Sequence, residues 1–220
     1  LRKLDVLQSI TREGVVAVLR ADSPEKVVEM AGQAIAGGIK IIEITMTVPF
    51  ALRAIETLAS TYSPTAADPS RFAVIGVGTV LDPETARAAI LSGAEFVVGP
   101  SLNPATVTLC NRYAVPVMPG AMTVRDIVEA LELGVDIVKL FPGNAYDPSM
   151  IKAIKGPVPQ ANIMPTGGVS LDNLGEWIKA GAVAVGLGSD LTADAVRTGD
   201  YSLIARRASQ YIEAYRQAKA

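Results

Sequence analysis

Histidine is absent from this chain, and cysteine occurs once. The first absence removes Ser-His-Asp and Cys-His nucleophile systems and every histidine-ligated metal site. Only carboxylates are then left to hold a metal, and such sites suit magnesium or calcium better than zinc. Proton transfer falls to Glu, Asp, Lys, Tyr or water. The single cysteine, Cys110 in the helical-looking "ATVTLCNRYA", cannot pair within the chain and reads as a small buried hydrophobe. No uninterrupted apolar run reaches the ~18 residues of a membrane-spanning helix, and Leu1–Thr11 carries no signal-peptide pattern. There is no basic cluster and no long run of one charge, and the formal net charge is −2. Nucleic acid therefore has no electrostatic footprint to meet. The composition reads as a cytoplasmic protein whose partners include neither nucleic acid nor membrane.

What is abundant is short apolar runs. Half of the 220 residues are hydrophobic, enough for a substantial core. Four stretches look alike: "AGGIKIIEIT", "LSGAEFVVGP", "LELGVDIVKL" and "KAGAVAVGLGS". Each leaves a helix through a glycine, where left-handed backbone ends the turn. Each then enters a strand without strict alternation, the pattern of a strand buried on both faces. "GVVAVLR", "RFAVIGVGT", "VPVMPG" and "ANIMPTGG" complete a set of eight strands. Between them lie helical patterns, and Ser23-Pro24, Asp82-Pro83 and Asn103-Pro104 each put a capping side chain before a proline at the first helical position. Thr123 and Ser170 are further cap candidates, and "YSLIARRASQYIEAYRQA" forms the last helix. "STYSPTAADPSR" reads as a surface insertion, and no linker divides the chain, so residues 1–220 form a single domain. Eight strand–helix units in about 200 residues predict an α/β fold, a (β/α)8 TIM barrel with an extra N-terminal helix at "LRKLDVLQSI". A doubly wound open sheet would usually carry a glycine-rich fingerprint after its first strand, and "VLRADSPEK" has none.

Function in a barrel sits at the C-terminal strand ends. Alternation puts Val16, Val18 and Arg20 on one face of the first strand, Ile41, Glu43, Thr45 and Thr47 on one face of the second, and Ile137, Lys139 and Phe141 on one face of "GVDIVKLFPG". Arg20, Glu43, Thr79 and Lys139 then converge on one cavity. Isolated charge in low dielectric is costly, and a lysine held there tends to surrender its proton. A neutral amine in a dry pocket is a nucleophile, which makes Lys139 a candidate Schiff-base residue. The plainer alternatives are a snorkelling lysine, a structural Glu43–Lys139 ion pair, and an Arg20 that pairs with Asp22 at the surface. "PTGGVS" and "GLGSD" end the seventh and eighth strands, where barrels commonly bind phosphate on backbone N–H groups and a helix N-terminus.

The ordered series "VVAVLRA", "EITMTVP", "GVGTVLDP", "GPSLNP", "VPVMPGAMT", "VKLFPG", "KGPVPQ", "MPTGGV" and "VGLGSDL" resembles the 2-keto-3-deoxy-6-phosphogluconate (KDPG) and 4-hydroxy-2-oxoglutarate (KHG) aldolases from about Gly14 to Leu191. The resemblance implies a class I aldolase with a covalent imine on Lys139, no metal and no other cofactor, and Glu43 as general acid/base. It implies that Thr79 binds the pyruvate carboxylate, that Pro100 and Phe141 line the pocket, and that Thr166, Gly167, Gly168, Gly188 and Ser189 hold the substrate phosphate. It also implies a homotrimer. One departure stands out. Some members carry an arginine where this chain has Thr47, and others have threonine there with an arginine ending the first strand, as Arg20 does. Arg20 is expected to supply the positive charge, with Thr47 beside it, because an α-keto acid needs charge-assisted donors to fix it.

The expected reaction is cleavage of KDPG to pyruvate and glyceraldehyde 3-phosphate. Unphosphorylated 4-hydroxy-2-oxoglutarate and the galactonate analogue are alternative substrates of the same chemistry. A phosphosugar isomerase or epimerase on the same barrel, with Glu43 as base, and a non-catalytic ligand-binding barrel are the competing classes.

Overall fold

The computed structural model describes residues 3–62 and 72–219. Helix α1 (Lys3–Glu13) precedes strand β1 (Val15–Leu19), and from there strand and helix alternate. The order runs α2 (Pro24–Ala36), β2 (Ile41–Thr45), α3 (Ala51–Tyr62), β3 (Val74–Gly78), α4 (Pro83–Leu91), β4 (Val97–Val98) and α5 (Pro104–Arg112). It continues through β5 (Val117–Met118), β6 (Gly120–Ala121), α6 (Val124–Glu132), β7 (Val138–Leu140), α7 (Ser149–Lys155) and β8 (Ile163–Pro165). It closes with α8 (Leu174–Lys179), β9 (Val185–Leu187), α9 (Ser189–Thr198) and α10 (Ser202–Lys219). The insertion expected at Ser60–Arg71 enters α3 as far as Tyr62 and otherwise lies outside the described residues.

Local chemistry accounts for the boundaries. Ser23, Asp82 and Asn103 accept from the N–H groups of Lys26, Thr85 and Thr106, each with proline at the first helical position. Thr123 and Asp126 form a reciprocal capping box, and each such cap is worth about 1 kcal/mol. The glycines of the four look-alike stretches, Gly38, Gly93, Gly134 and Gly181, all have positive φ, the geometry that ends a helix without a Cβ clash. Ser170 is not a cap. Its backbone N–H donates to Asn173 Oδ1 at 2.9 Å while Asn173 Nδ2 donates to Gly168 O at 2.8 Å. Asn173 thereby holds the turn closed, and the helix starts only at Leu174.

Every strand pairing among the described residues is parallel. One ladder runs β5-β4-β3-β2-β1-β9 and a second β6-β7-β8. The expected strand "VPVMPG" is divided between them at Pro119, which has no N–H to donate to a ladder. A bridge from Thr166 to Gly186 links the tail of β8 to β9. The result is an α/β fold around a curled parallel sheet with two apolar layers. One lies between sheet and helices and includes Leu19, Ile42, Ile55, Trp177 and Tyr211. The other is made of alternate strand residues, among them Val16, Ile41, Val74, Phe96, Met118, Ile137 and Met164, with Val6 and Ile10 of α1 packed onto it. Gly76 makes room for Phe96, whose ring an added Cβ would strike. Cys110 is buried and unpaired, and burial pushes its thiol up to about 11, consistent with a packing role. Among the described residues no helix is long and apolar enough to cross a membrane.

Candidate active site

Lys139 is the middle residue of β7, in register with Gly120 on one side and Met164 on the other. Ile137, two residues before it, belongs to the inner apolar layer, whereas Val138 and Leu140 pack toward the helices. The same alternation carries Glu43 inward from β2, two residues beyond Ile41. Lys139 is 4% exposed and Glu43 is 0%. Nζ of Lys139 lies 3.9 Å from Oε1 of Glu43, beyond hydrogen-bond distance, and 4.9 Å from the centre of the Phe141 ring. Neither Glu43 oxygen has a hydrogen-bond partner. Gly78 on the neighbouring strand provides the space, since a Cβ there would collide with the Glu43 carboxylate. Burial pushes the Glu43 carboxyl above its ordinary range, against the opposing pull of Lys139 and, more weakly, of Arg20. A buried carboxylate that the protein leaves short of donors can take a proton from a substrate hydroxyl.

Arg20 directly follows β1 and is exposed at the strand end. It does not pair with Asp22, which is bound instead by Lys26 at 2.8 Å. Thr45 is buried; its hydroxyl donates to Leu19 O at 3.2 Å and lies 2.8 Å from the Thr47 hydroxyl. With its only proton committed to Leu19, Thr45 accepts from Thr47, which stands exposed at the same strand end. Thr79, immediately after β3, has φ 61°. Left-handed backbone at a β-branched residue costs about 1–3 kcal/mol and is held only where the surroundings fix it. Pro100 and Phe141 line a recess of about 490 Å³ together with Leu102, Ala121 and Met122.

The residues expected to hold phosphate divide into two groups. Gly167 and Gly168, with φ 90° and 72°, share a recess of about 380 Å³ with Ser170, Gly188, Ser189 and Asp190. A Cβ on Gly168 would come within 2.7 Å of Asn144, while Gly188 faces open space. Thr166 does not line this recess. It is buried against Gly186 with its hydroxyl unpartnered. The sequence places Thr45 on the Glu43 face of its strand without assigning it a role, and it assigns none to Gly78, Asn173 or Asp190. An acid directly after a glycine turn, as in "GLGSD", was the available signal for Asp190. Among the described residues no three carboxylate or thiolate groups converge as metal ligands.

A curled parallel sheet with a buried amine and carboxylate facing each other near its C-terminal strand ends defines a class: an α/β enzyme equipped to handle a carbonyl compound. The family model described as "KDPG and KHG aldolase" matches residues 6–207, and the chain belongs to that family, whose members are carbon–carbon lyases. It is 32% identical over 214 residues to the 2-dehydro-3-deoxy-6-phosphogalactonate aldolase of Escherichia coli, covering 96% of this chain and 99% of the relative. It is also 32% identical to the 2-dehydro-3-deoxy-phosphogluconate aldolase of Treponema pallidum, covering 96% and 97%. Among solved structures, the KDPG aldolase of Legionella pneumophila, with pyruvate captured as a covalent carbinolamine, superposes with a TM-score of 0.78 at 30% identity, covering 89% of this chain and 92% of that one.

Proposed function

We propose that this chain is a class I aldolase that cleaves KDPG to pyruvate and glyceraldehyde 3-phosphate, with 4-hydroxy-2-oxoglutarate as a further substrate. The observation that carries this reading is the dry Lys139–Glu43 pair, 3.9 Å apart, with both carboxylate oxygens unpartnered. The Lys139 amine adds to the C2 ketone, and loss of water gives the iminium. Glu43 takes the proton of the C4 hydroxyl as the C3–C4 bond breaks, and the bond electrons flow to the iminium nitrogen, leaving an enamine. The aldehyde departs, C3 of the enamine is protonated, and water hydrolyses the imine to release pyruvate and the free amine. The covalent imine is the only cofactor-like group required, and no metal takes part.

Arg20 supplies the charge that fixes the keto-acid carboxylate, with Thr47 and Thr79 beside it; support comes from its exposed position at the strand end and its electrostatic reach to Glu43. Pro100 and Phe141 wall the pyruvate end. The phosphate lies on Gly167, Gly168, Gly188 and Ser189, with Thr166 behind them, where a ten-residue helix presents its N-terminus. For the single domain 1–220 we infer a closed (β/α)8 barrel, an architecture favoured by the continuous stretch Val117–Ala121 pairing on one side with β4 and on the other with β7. A homotrimer in the cytoplasm completes the reading; the exposed apolar residues Met122, Val124 and Val128 favour self-association.

Treatment with pyruvate and borohydride tests the assignment. Mass spectrometry is expected to find the reduced adduct on Lys139; an adduct on Lys152 or Lys155 of α7 overturns it. Cleavage assays on both keto acids then rank the substrates. An isomerase using Glu43 as base would form no reducible adduct with pyruvate.

A further inference from the structure

The recess assigned to phosphate has an unusual lining for an anion site. Among the described residues that line it there is no lysine or arginine, and the one charged residue there, Asp190, is an acid in the first turn of α9. Left alone, that carboxylate would oppose any phosphate drawn to the backbone N–H groups and the positive end of the helix. It is not left alone. Asp190 Oδ2 accepts from Arg207 Nη2 at 2.7 Å, from Arg207 Nε at 3.2 Å and from the Tyr211 hydroxyl. Arg207 and Tyr211 stand one turn apart on α10, behind the recess, with the guanidinium 5.8 Å from the Tyr211 ring centre. Asp172, on the turn that forms the opposite wall, also acts electrostatically on both. Arg207 thus pairs directly with Asp190 and feels Asp172 at longer range.

We propose that Arg207, seated by Tyr211, is a positioning residue for substrate binding: it neutralises and orients Asp190, so that a recess whose own lining carries only negative charge accepts the substrate's phosphate. This rests on the phosphate reading of the preceding subsection. The fork geometry fits the role, because two N–H groups on one oxygen fix a carboxylate more firmly than a single ammonium. The Arg207 and Asp190 side chains are 38% and 31% exposed, so the contribution depends on salt as well.

The test compares wild type, Arg207→Met, Asp190→Asn and the double variant on KDPG and on unphosphorylated 4-hydroxy-2-oxoglutarate. Arg207→Met is expected to raise KM for KDPG about tenfold, with kcat and the kinetics of the unphosphorylated acid unchanged. Removing the acid as well, in the double variant, is expected to return KM for KDPG to within about twofold of wild type. Arg207→Lys, which keeps the charge, should retain most of the affinity, and it serves if the Met variant does not fold. Equal losses on both substrates, no change on KDPG, or no recovery in the double variant would each overturn the proposal while leaving the phosphate reading intact. If wild type itself does not favour KDPG over the unphosphorylated acid, the phosphate reading falls and this proposal falls with it.

Discussion

Two acids belong to the site we propose, and the fold treats them oppositely. Glu43 is fully buried, its nearest cation is 3.9 Å away, and neither of its oxygens accepts a hydrogen bond. Asp190 is about a third exposed, yet one of its oxygens gathers three donors from Arg207 and Tyr211. Packing alone would give the reverse, since a buried carboxylate needs donors more than an exposed one. The contrast separates two tasks. On the proposed reading Asp190 must stay put and stay quiet, which fits its three donors. On the proposed mechanism Glu43 exchanges a proton, which fits a carboxylate with no protein donor and room for the substrate hydroxyl to supply the missing contact. In this reading the short, well-made pair holds a charge in place, and the loose, dry pair is left free for chemistry.

The contrast breaks first, and most heavily, at Glu43. Replacing it with Gln is expected to lower kcat by about 10²–10⁴, the usual contribution of a positioned acid–base group, with the KM for keto acid moving far less. The pH profile sharpens the point. Burial raises the Glu43 carboxyl above its ordinary 4.5, so the acid limb of the wild-type rate should lie above that value. The limb should disappear in the Gln variant. A wild-type limb at or below 4.5 would mean that Glu43 is solvated in the working enzyme.

Lys139→Met comes next, read by stability rather than rate. It leaves a buried carboxylate with only the weaker pull of Arg20, a loss of about 3–5 kcal/mol at neutral pH. The folded chain binds the Glu43 proton more tightly than the unfolded chain does. The associated stability is therefore fully present below about 4.5 and is lost as pH rises through the folded value. The deficit of the Met variant should shrink on acidification toward that range. At the other pair, Arg207→Met should alter unfolding by less than about 1 kcal/mol, as expected for a partly exposed bridge. Chemical denaturation of the two variants across pH measures both, and equal deficits would erase the distinction.

How much of this was legible beforehand follows the range of the interactions. Lys139 and Glu43 could be read directly, because one charged residue inside "DIVKLF" or "KIIEIT" violates a local hydrophobic rule and strand alternation says where it points. The caps at Ser23, Asp82, Asn103 and Thr123 were legible for the same reason, being contacts across three residues. Ser170 misled because the decisive group, Asn173, closes a turn whose geometry is set by Gly168. The split of "VPVMPG" at Pro119 needed knowledge of which neighbour each half would face. Asp190 was hidden most deeply: Arg207 and Tyr211 are 17 and 21 residues away on another helix, and only the packing of α10 behind α9 brings them together. The left-handed Thr79 has no signature in sequence at all, since threonine is a poor choice for that backbone.

The smallest effect extends the contrast from carboxylates to hydroxyls. Thr166 is buried with its hydroxyl unpartnered, whereas Thr45, equally dry, donates to Leu19 O and accepts from Thr47. The proton of Thr47 is thus committed inward, and only lone pairs face the mouth of the site. On the proposed reading, a keto-acid carboxylate beside Thr47 then meets an acceptor where it would prefer a donor. Thr45→Val removes the inward acceptor and frees that proton. Unfolding should then become easier by about 1 kcal/mol for the lost hydrogen bonds, while KM for pyruvate-yielding substrates falls a few-fold and kcat holds. A rise in KM instead would mean that Thr47 needs Thr45 to hold its orientation, and that the donor reaching the substrate is already the Thr47 hydroxyl.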